Sequence, residues 1–394
     1  MLIQLLIFLV YYFLGMAFVY KITNGLKKQR AMIIGYYSLY SMMIICNYYF
    51  HVFDGFLLDP DFFSKRSNEL FEIIINPNVS IFEELSRLNA ANIGANLYMI
   101  IIIIPLMCLT FNYPPSIILI LFVLFLFAVI KLVGLHRDRL SNKGINILLL
   151  LLFMYPALFL HNMVLMRESI GVSVTILLIY SLLNLTNSIK YKIAFLISLV
   201  LLTMIRSQNF PVVIVLLITY ILLFQGIRKN KILFSLLVIG IILALETEYG
   251  YYLGNIDVRY ISNYRIGNAN LPQAYLTDIN LSSWWDVIKY FPMLLFYYVF
   301  SPFPWQIENF RFLFNTTDSL YIIIIFVLCI KYLLNSDLDK RDYFIFIFVF
   351  IFLGSYSLLE VYHGGAVRHR MPQIILLIPY AAMSFKRASM NRGK

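Results

Sequence analysis

Charge is scarce in this chain. Only 13% of its 394 residues are Asp, Glu, Lys or Arg, against about 25% in an ordinary soluble protein. With 61% hydrophobic residues and a mean hydropathy of +0.82, the chain cannot keep a folded surface in water. That excludes a soluble globular class and points to a polytopic membrane protein. Cysteine is almost missing. Cys46, Cys108 and Cys329 each sit inside an apolar run, so they read as small buried hydrophobes without metal-ligand spacing. Gly/Ser-rich linkers and internal repeats are missing too, so residues 1–394 read as one membrane domain. No H-E-x-x-H, C-x-x-C, P-loop, G-x-G-x-x-G or G-x-S-x-G pattern occurs, which leaves no sign of a metal, a nucleotide or another cofactor. Strict polar/apolar alternation is also lacking, against a β-barrel.

What is present is a series of continuous apolar runs. A helical span needs about 20 such residues, and candidates lie near 2–20, 31–52, 94–111, 115–135, 145–161, 170–186, 192–206, 210–225, 232–246, 288–303, 319–334, 343–361 and 371–385. The expected fold is all-α, a polytopic integral membrane helical bundle of about 11–13 membrane segments. The first run lacks a basic leader and a small-residue cleavage site and reads as a retained span. Lysine-rich stretches such as LKKQR and IRKNKI, and the tail 386–394, mark the cytoplasmic side. The formal charge of +11 therefore reports topology, not nucleic-acid binding. Long loops near 53–93 and 247–287 fall outside. Parity then requires that one candidate between 94 and 135 does not cross fully. It also requires that 288–303 enters and returns, turning at SPFPW (301–305).

On that outer side the basic residues are arginines: Arg167, Arg206, Arg259, Arg265, Arg311, Arg368 and Arg370. Guanidinium offers a planar fork of donors suited to phosphate, while lysine acts as a point charge. The reading is a binding surface for a lipid phosphate or diphosphate, against the plainer reading of arginines resting on headgroups. HGGAVRHR (363–370) stands out between two apolar runs. Its glycine pair suggests an irregular hinge, on which Arg368 and Arg370 could grip one diphosphate. Arg167-Glu168 opens another apolar run, with His161 and Asn162 just before it. His369, His363 or Glu168 could act as a base, and nearby arginines favour the neutral form of His369. Tyr260, Tyr264 and Arg265 lie in an Asn/Tyr-rich loop suited to sugar rings and hydroxyls. Trp284-Trp285 read as an interfacial belt. Asp59-Pro60-Asp61 reads as a turn before a metal site.

The stretches LMRESIGVSVTILLIYSLL, YYVFSPFPWQIENFR and HGGAVRHRMPQ, with this span layout, resemble the Wzy-type O-antigen or polysaccharide repeat-unit polymerases, with some likeness to EpsG-type exopolysaccharide proteins. The resemblance covers about 145–385. It implies a metal-independent glycosyltransferase of the bacterial inner membrane, joining undecaprenyl-diphosphate-linked oligosaccharides on the periplasmic face. It also implies a flippase and a chain-length co-polymerase as partners. Arg167, Glu168, Arg368 and Arg370 carry over as site positions. The arginine-to-glycine spacing discussed for some members is not obvious in the outer loops here. Competing readings are a GT-C glycosyltransferase, with Asp54, Asp59 or Asp61 as its carboxylate, an O-antigen ligase, and a lipid-linked oligosaccharide flippase.

Overall fold

The computed structural model describes residues 2–52, 71, 102–205, 209–225, 258–271, 273–307 and 310–385. Arg206, Asp54, Asp59, Asp61, the candidate span at 232–246 and the tail lie outside the described residues, as does nearly all of the first outer loop. Among the described residues the secondary structure is helical, with no strand beyond one isolated bridge. Four helical stretches are long and apolar enough to cross a membrane: Leu2–Leu26, Pro114–Leu135, Leu313–Asn335 and Lys340–Leu359. The chain divides into two compact units, Met1–Arg206 and Ser207–Lys394.

The first unit contains α1 (Leu2–Ile22), α2 (Arg30–Phe50), α3 (Ile104–Leu109), α4 (Pro114–Leu135), α5 (Asn142–Met154), α6 (Pro156–His161), α7 (Arg167–Leu183) and α8 (Ile189–Ile205). α4 is its axis, packing on α1, α2 and α7, while α7 also packs on α8. Pro114 and Pro115 start α4, where their missing N–H groups cost nothing. Gly15 lets α1 approach α2, since a Cβ there would run into the Tyr37 ring. Tyr37 is wholly buried and donates to Tyr12 O at 3.0 Å. Tyr40 stacks on Phe122 with centroids 4.6 Å apart, tying α2 to α4. The candidate at 145–161 is broken. Tyr155, placed before Pro156, takes the extended conformation (φ −69°, ψ 111°), and α5 gives way to α6. Hydroxyls on α7 are satisfied locally: Ser173 donates to Ser169 O and Thr175 to Gly171 O. Buried hydroxyls need such partners.

The second unit contains α9 (Asn209–Tyr220, continued by a π turn over Ile221–Gln225), α10 (Val258–Asn268), α11 (Trp284–Phe300), α12 (Phe310–Asn335), α13 (Lys340–Leu359) and α14 (His363–Met383). α14 packs on α11, α12 and α13, and α13 also receives α9, α10 and α11. Capping boxes start two helices, Ser283 with Asp286 for α11 and Asp339 with Asp342 for α13. The connection from α10 to α11 docks on the entry to α14. Tyr275 N donates to Val361 O at 2.7 Å and His363 N donates to Gln273 O at 3.3 Å.

α11 runs unbroken to Phe300 through Pro292, and the irregular residues 301–306 stand where SPFPW was expected to turn. Two expectations change here. HGGAVRHR is not a hinge, because all eight residues belong to α14. Gly364 and Gly365 are there for close packing. A Cβ on Gly364 would strike the Tyr362 ring, and one on Gly365 would lie 2.5 Å from the Glu360 carboxylate. In a helix, residues two apart point about 200° from each other, so Arg368 and Arg370 cannot form one fork.

Arg370 has turned inward and is 0% exposed. Its Nη1 donates to the carbonyls of Tyr298, Val299 and Ser301 at 3.0, 2.8 and 2.8 Å. Its Nη2 donates to Asp318 Oδ2 at 2.8 Å and to Ser319 Oγ at 3.1 Å. The carbonyls closing α11 have no partner within their own helix, and Arg370 supplies one while pairing with α12. The expected contact with diphosphate does not fit a guanidinium spent this way. Removing one partner of a buried pair strands the other, at about 3–5 kcal/mol. Arg370→Ala should therefore lower the unfolding midpoint of the solubilised protein steeply, and Asp318→Asn should lower it less. An unchanged thermal melt in both would refute this account.

Candidate functional site

The polar residues gather separately in the two units. In the first, Arg167 is the opening residue of α7, whose N-cap Met166 provides no side-chain bond. The positive end of the helix dipole favours an anion there. Arg167 Nε lies 3.7 Å from Glu168 Oε1, with the arginine side chain 28% exposed and the glutamate 2%. The cation thus faces outward and the carboxylate inward. His161 and Asn162, at the end of α6, are both buried, and His161 Nδ1 is 2.7 Å from Ala157 O. Burial leaves Glu168 poorly placed to take a proton from a bulky substrate and better placed to hold Arg167.

In the second unit the helical form of HGGAVRHR sorts its residues by face. His363 is buried. Its Nδ1 lies 3.1 Å from Ser301 Oγ, and its ring stacks on Tyr275 with centroids 4.8 Å apart. Arg368 is part-exposed and its Nε donates to Gly364 O at 3.1 Å. His369 is also part-exposed. Its Nδ1 is 2.9 Å from Glu360 Oε2, and its ring lies 4.9 Å from that of Tyr356. The expectation that cations surround His369 is corrected, since its nearest charge is a carboxylate.

Arg265 is corrected as well. It is 3% exposed and donates to Leu358 O at 3.4 Å and Leu276 O at 3.1 Å. Like Arg370, it closes the end of a helix, here α13, and is not presented to a sugar. Tyr264 is half-buried, with its carbonyl accepting from Asn268 Nδ2 at 2.8 Å. The side chains of Tyr260 and Arg311 lie outside the described residues. Arg259 is exposed on α10, and Trp284 and Trp285 are exposed at the start of α11. Among the described residues no three of His, Cys, Asp and Glu gather as a metal site.

Glu360 and Asp318 were missed in the sequence. Each is a lone carboxylate beside an apolar run, in YSLLEVY and NTTDSLYIIII. A carboxylate drawn into an apolar stretch calls for a partner, and that signal was available. No family model, curated protein or solved structure matches the chain.

His363 precedes the apolar part of α14. Burial first, and then the Arg370 cation, push its pKa down from 6.5 to about 4. The unfolded ring protonates at the ordinary value and the folded ring only near the lower one. Across that window the unfolded state binds more protons, so stability falls as pH drops from about 6.5 to about 4, by about 3 kcal/mol in all. His363→Gln should flatten that fall when unfolding is followed across the window. A wild-type slope in the variant would show that another group carries it.

Proposed function

We propose that this chain is a multi-pass protein of the bacterial inner membrane that polymerises undecaprenyl-diphosphate-linked oligosaccharide repeats at the periplasmic face. The observation that carries the reading is the pairing on α14 of a part-exposed cation with a part-exposed base, Arg368 beside His369, within a motif that resembles the Wzy-type polymerases. The reaction needs those two functions. An acceptor hydroxyl oxygen attacks the anomeric carbon of the donor glycan, and the bond from that carbon to the diphosphate oxygen breaks. The hydroxyl proton passes to His369, and the diphosphate leaves with the bonding electron pair. A guanidinium aimed at the leaving oxygens stabilises that charge as it develops, which is the role of Arg368.

Both substrates carry a lipid diphosphate. Arg167, part-exposed at the start of α7 in the first unit, is proposed for a diphosphate on its own, from the sequence motif and the chemistry of a guanidinium. Arg206 keeps its assisting role only as an expectation from the sequence. Arg370 and Arg265 are withdrawn from substrate contact, since their guanidinium groups hold helix ends. The flippase and the chain-length co-polymerase remain partners implied by the resemblance.

Removing one charge-stabilising donor typically costs about 10²–10³ in rate, and reversing the charge costs more. Arg368→Glu, expressed at wild-type level, should abolish the polymer ladder on a lipopolysaccharide gel and leave single-repeat chains. Long ladders in that variant would refute the assignment.

A further inference from the structure

Glu360 closes α13 and His369 lies two turns into α14, yet their side chains meet. The residue between them in space is Gly365, one helical turn before His369 and therefore on the same face. With no Cβ at 365, the Glu360 carboxylate lies directly over the first turn of α14, where a Cβ would come within 2.5 Å of it. One carboxylate oxygen accepts from Tyr362 N–H at 3.3 Å. The other lies 2.9 Å from His369 Nδ1, off the line of an aligned hydrogen bond. Tyr356, one turn before Glu360 on α13, sets its ring against the imidazole, and its hydroxyl donates to Asn209 Oδ1 at 2.7 Å. The imidazole is thus held by a ring and faced by a carboxylate whose second oxygen is tied to the backbone.

Resting on the reading above, we propose that Glu360 is a positioning residue for the His369 base, its carboxylate charge beside Nδ1 favouring a proton there and leaving Nε2 to take the proton of the acceptor hydroxyl. A carboxylate against one ring nitrogen fixes the tautomer and steadies the imidazolium that forms. Such supporting partners are commonly worth about 10–100-fold. Among the described residues, the other charged and titratable groups near the pair are Arg265 on α10, Tyr275 in the loop before α11, Tyr298 on α11, Tyr356 on α13, and His363, Arg368 and Arg370 on α14. Asp318 on α12 is already paired with Arg370.

The test uses the full-length protein purified in detergent, with lipid-linked repeat units extracted from cells lacking the polymerase. Glu360→Gln should lower kcat about 10–100-fold with KM little changed. A carboxylate favours the protonated ring, so its loss should also move the acid limb of the pH–rate profile to lower pH. Gly365→Ala should copy both effects, because its Cβ displaces only the flexible end of Glu360. The double variant His369→Gln/Glu360→Gln should be no slower than His369→Gln alone. Wild-type kcat and pH profile in Glu360→Gln, with loss in His369→Gln, would overturn this inference alone. Full turnover in His369→Gln would remove the base reading and this inference with it. An additive loss in the double variant would also overturn it, marking Glu360 as a structural residue only.

Discussion

The second unit depends on a buried guanidinium placed at the end of a helix. Arg370 binds three carbonyls at the close of α11 and the carboxylate of Asp318 on α12. The carbonyls that close a helix have no partner within it, and at a buried site they need one from elsewhere in the protein. One arginine answers that need and neutralises an aspartate that would otherwise be costly to bury. Three helices are held by one side chain as a result. Arg265 repeats the device on a smaller scale, between α10, the loop before α11 and the last turn of α13. These two cations are the framework against which the start of α14 is set.

That framework determines which residues of HGGAVRHR stay part-exposed. Once Arg370 is anchored inward, the helical period turns Arg368 to another face. His369 falls beside Glu360, through the gap that Gly365 leaves. His363 is closed off under Tyr275 and beside Ser301. One short motif therefore supplies a structural cation, a buried neutral imidazole, a part-exposed cation and a part-exposed imidazole. In the first unit, Arg167 and Glu168 divide in the same way, with the guanidinium outward and the carboxylate inward.

The helical class and most helix positions were legible in the sequence. Continuous apolar runs of the right length specify helices where backbone groups must bond within their own segment. Proline before a run, as at Pro114, and Asp or Ser at a start, as at Asp339 and Ser283, mark the boundaries. The site was only partly legible. Arginines and histidines at 363–370 were visible as a cluster, but the glycine pair suggested a bend where the chain is helical. Glycine permits unusual backbone angles and also permits contact without a side chain, and composition does not distinguish the two uses.

The sequence by itself determined a charge-poor, helix-forming chain with arginines concentrated at helix ends, because hydropathy and local spacing act within one segment. Only the tertiary structure decided which arginines are spent. The partners of Arg370 lie 51 to 72 residues away in the chain, and Glu360 reaches His369 across the turn between two helices. Those contacts depend on how helices pack and on which face each residue turns, which no single segment encodes. The physical reason is that a guanidinium is equally suited to a phosphate and to a row of carbonyls. Its surroundings after packing, not its identity, set which one it binds.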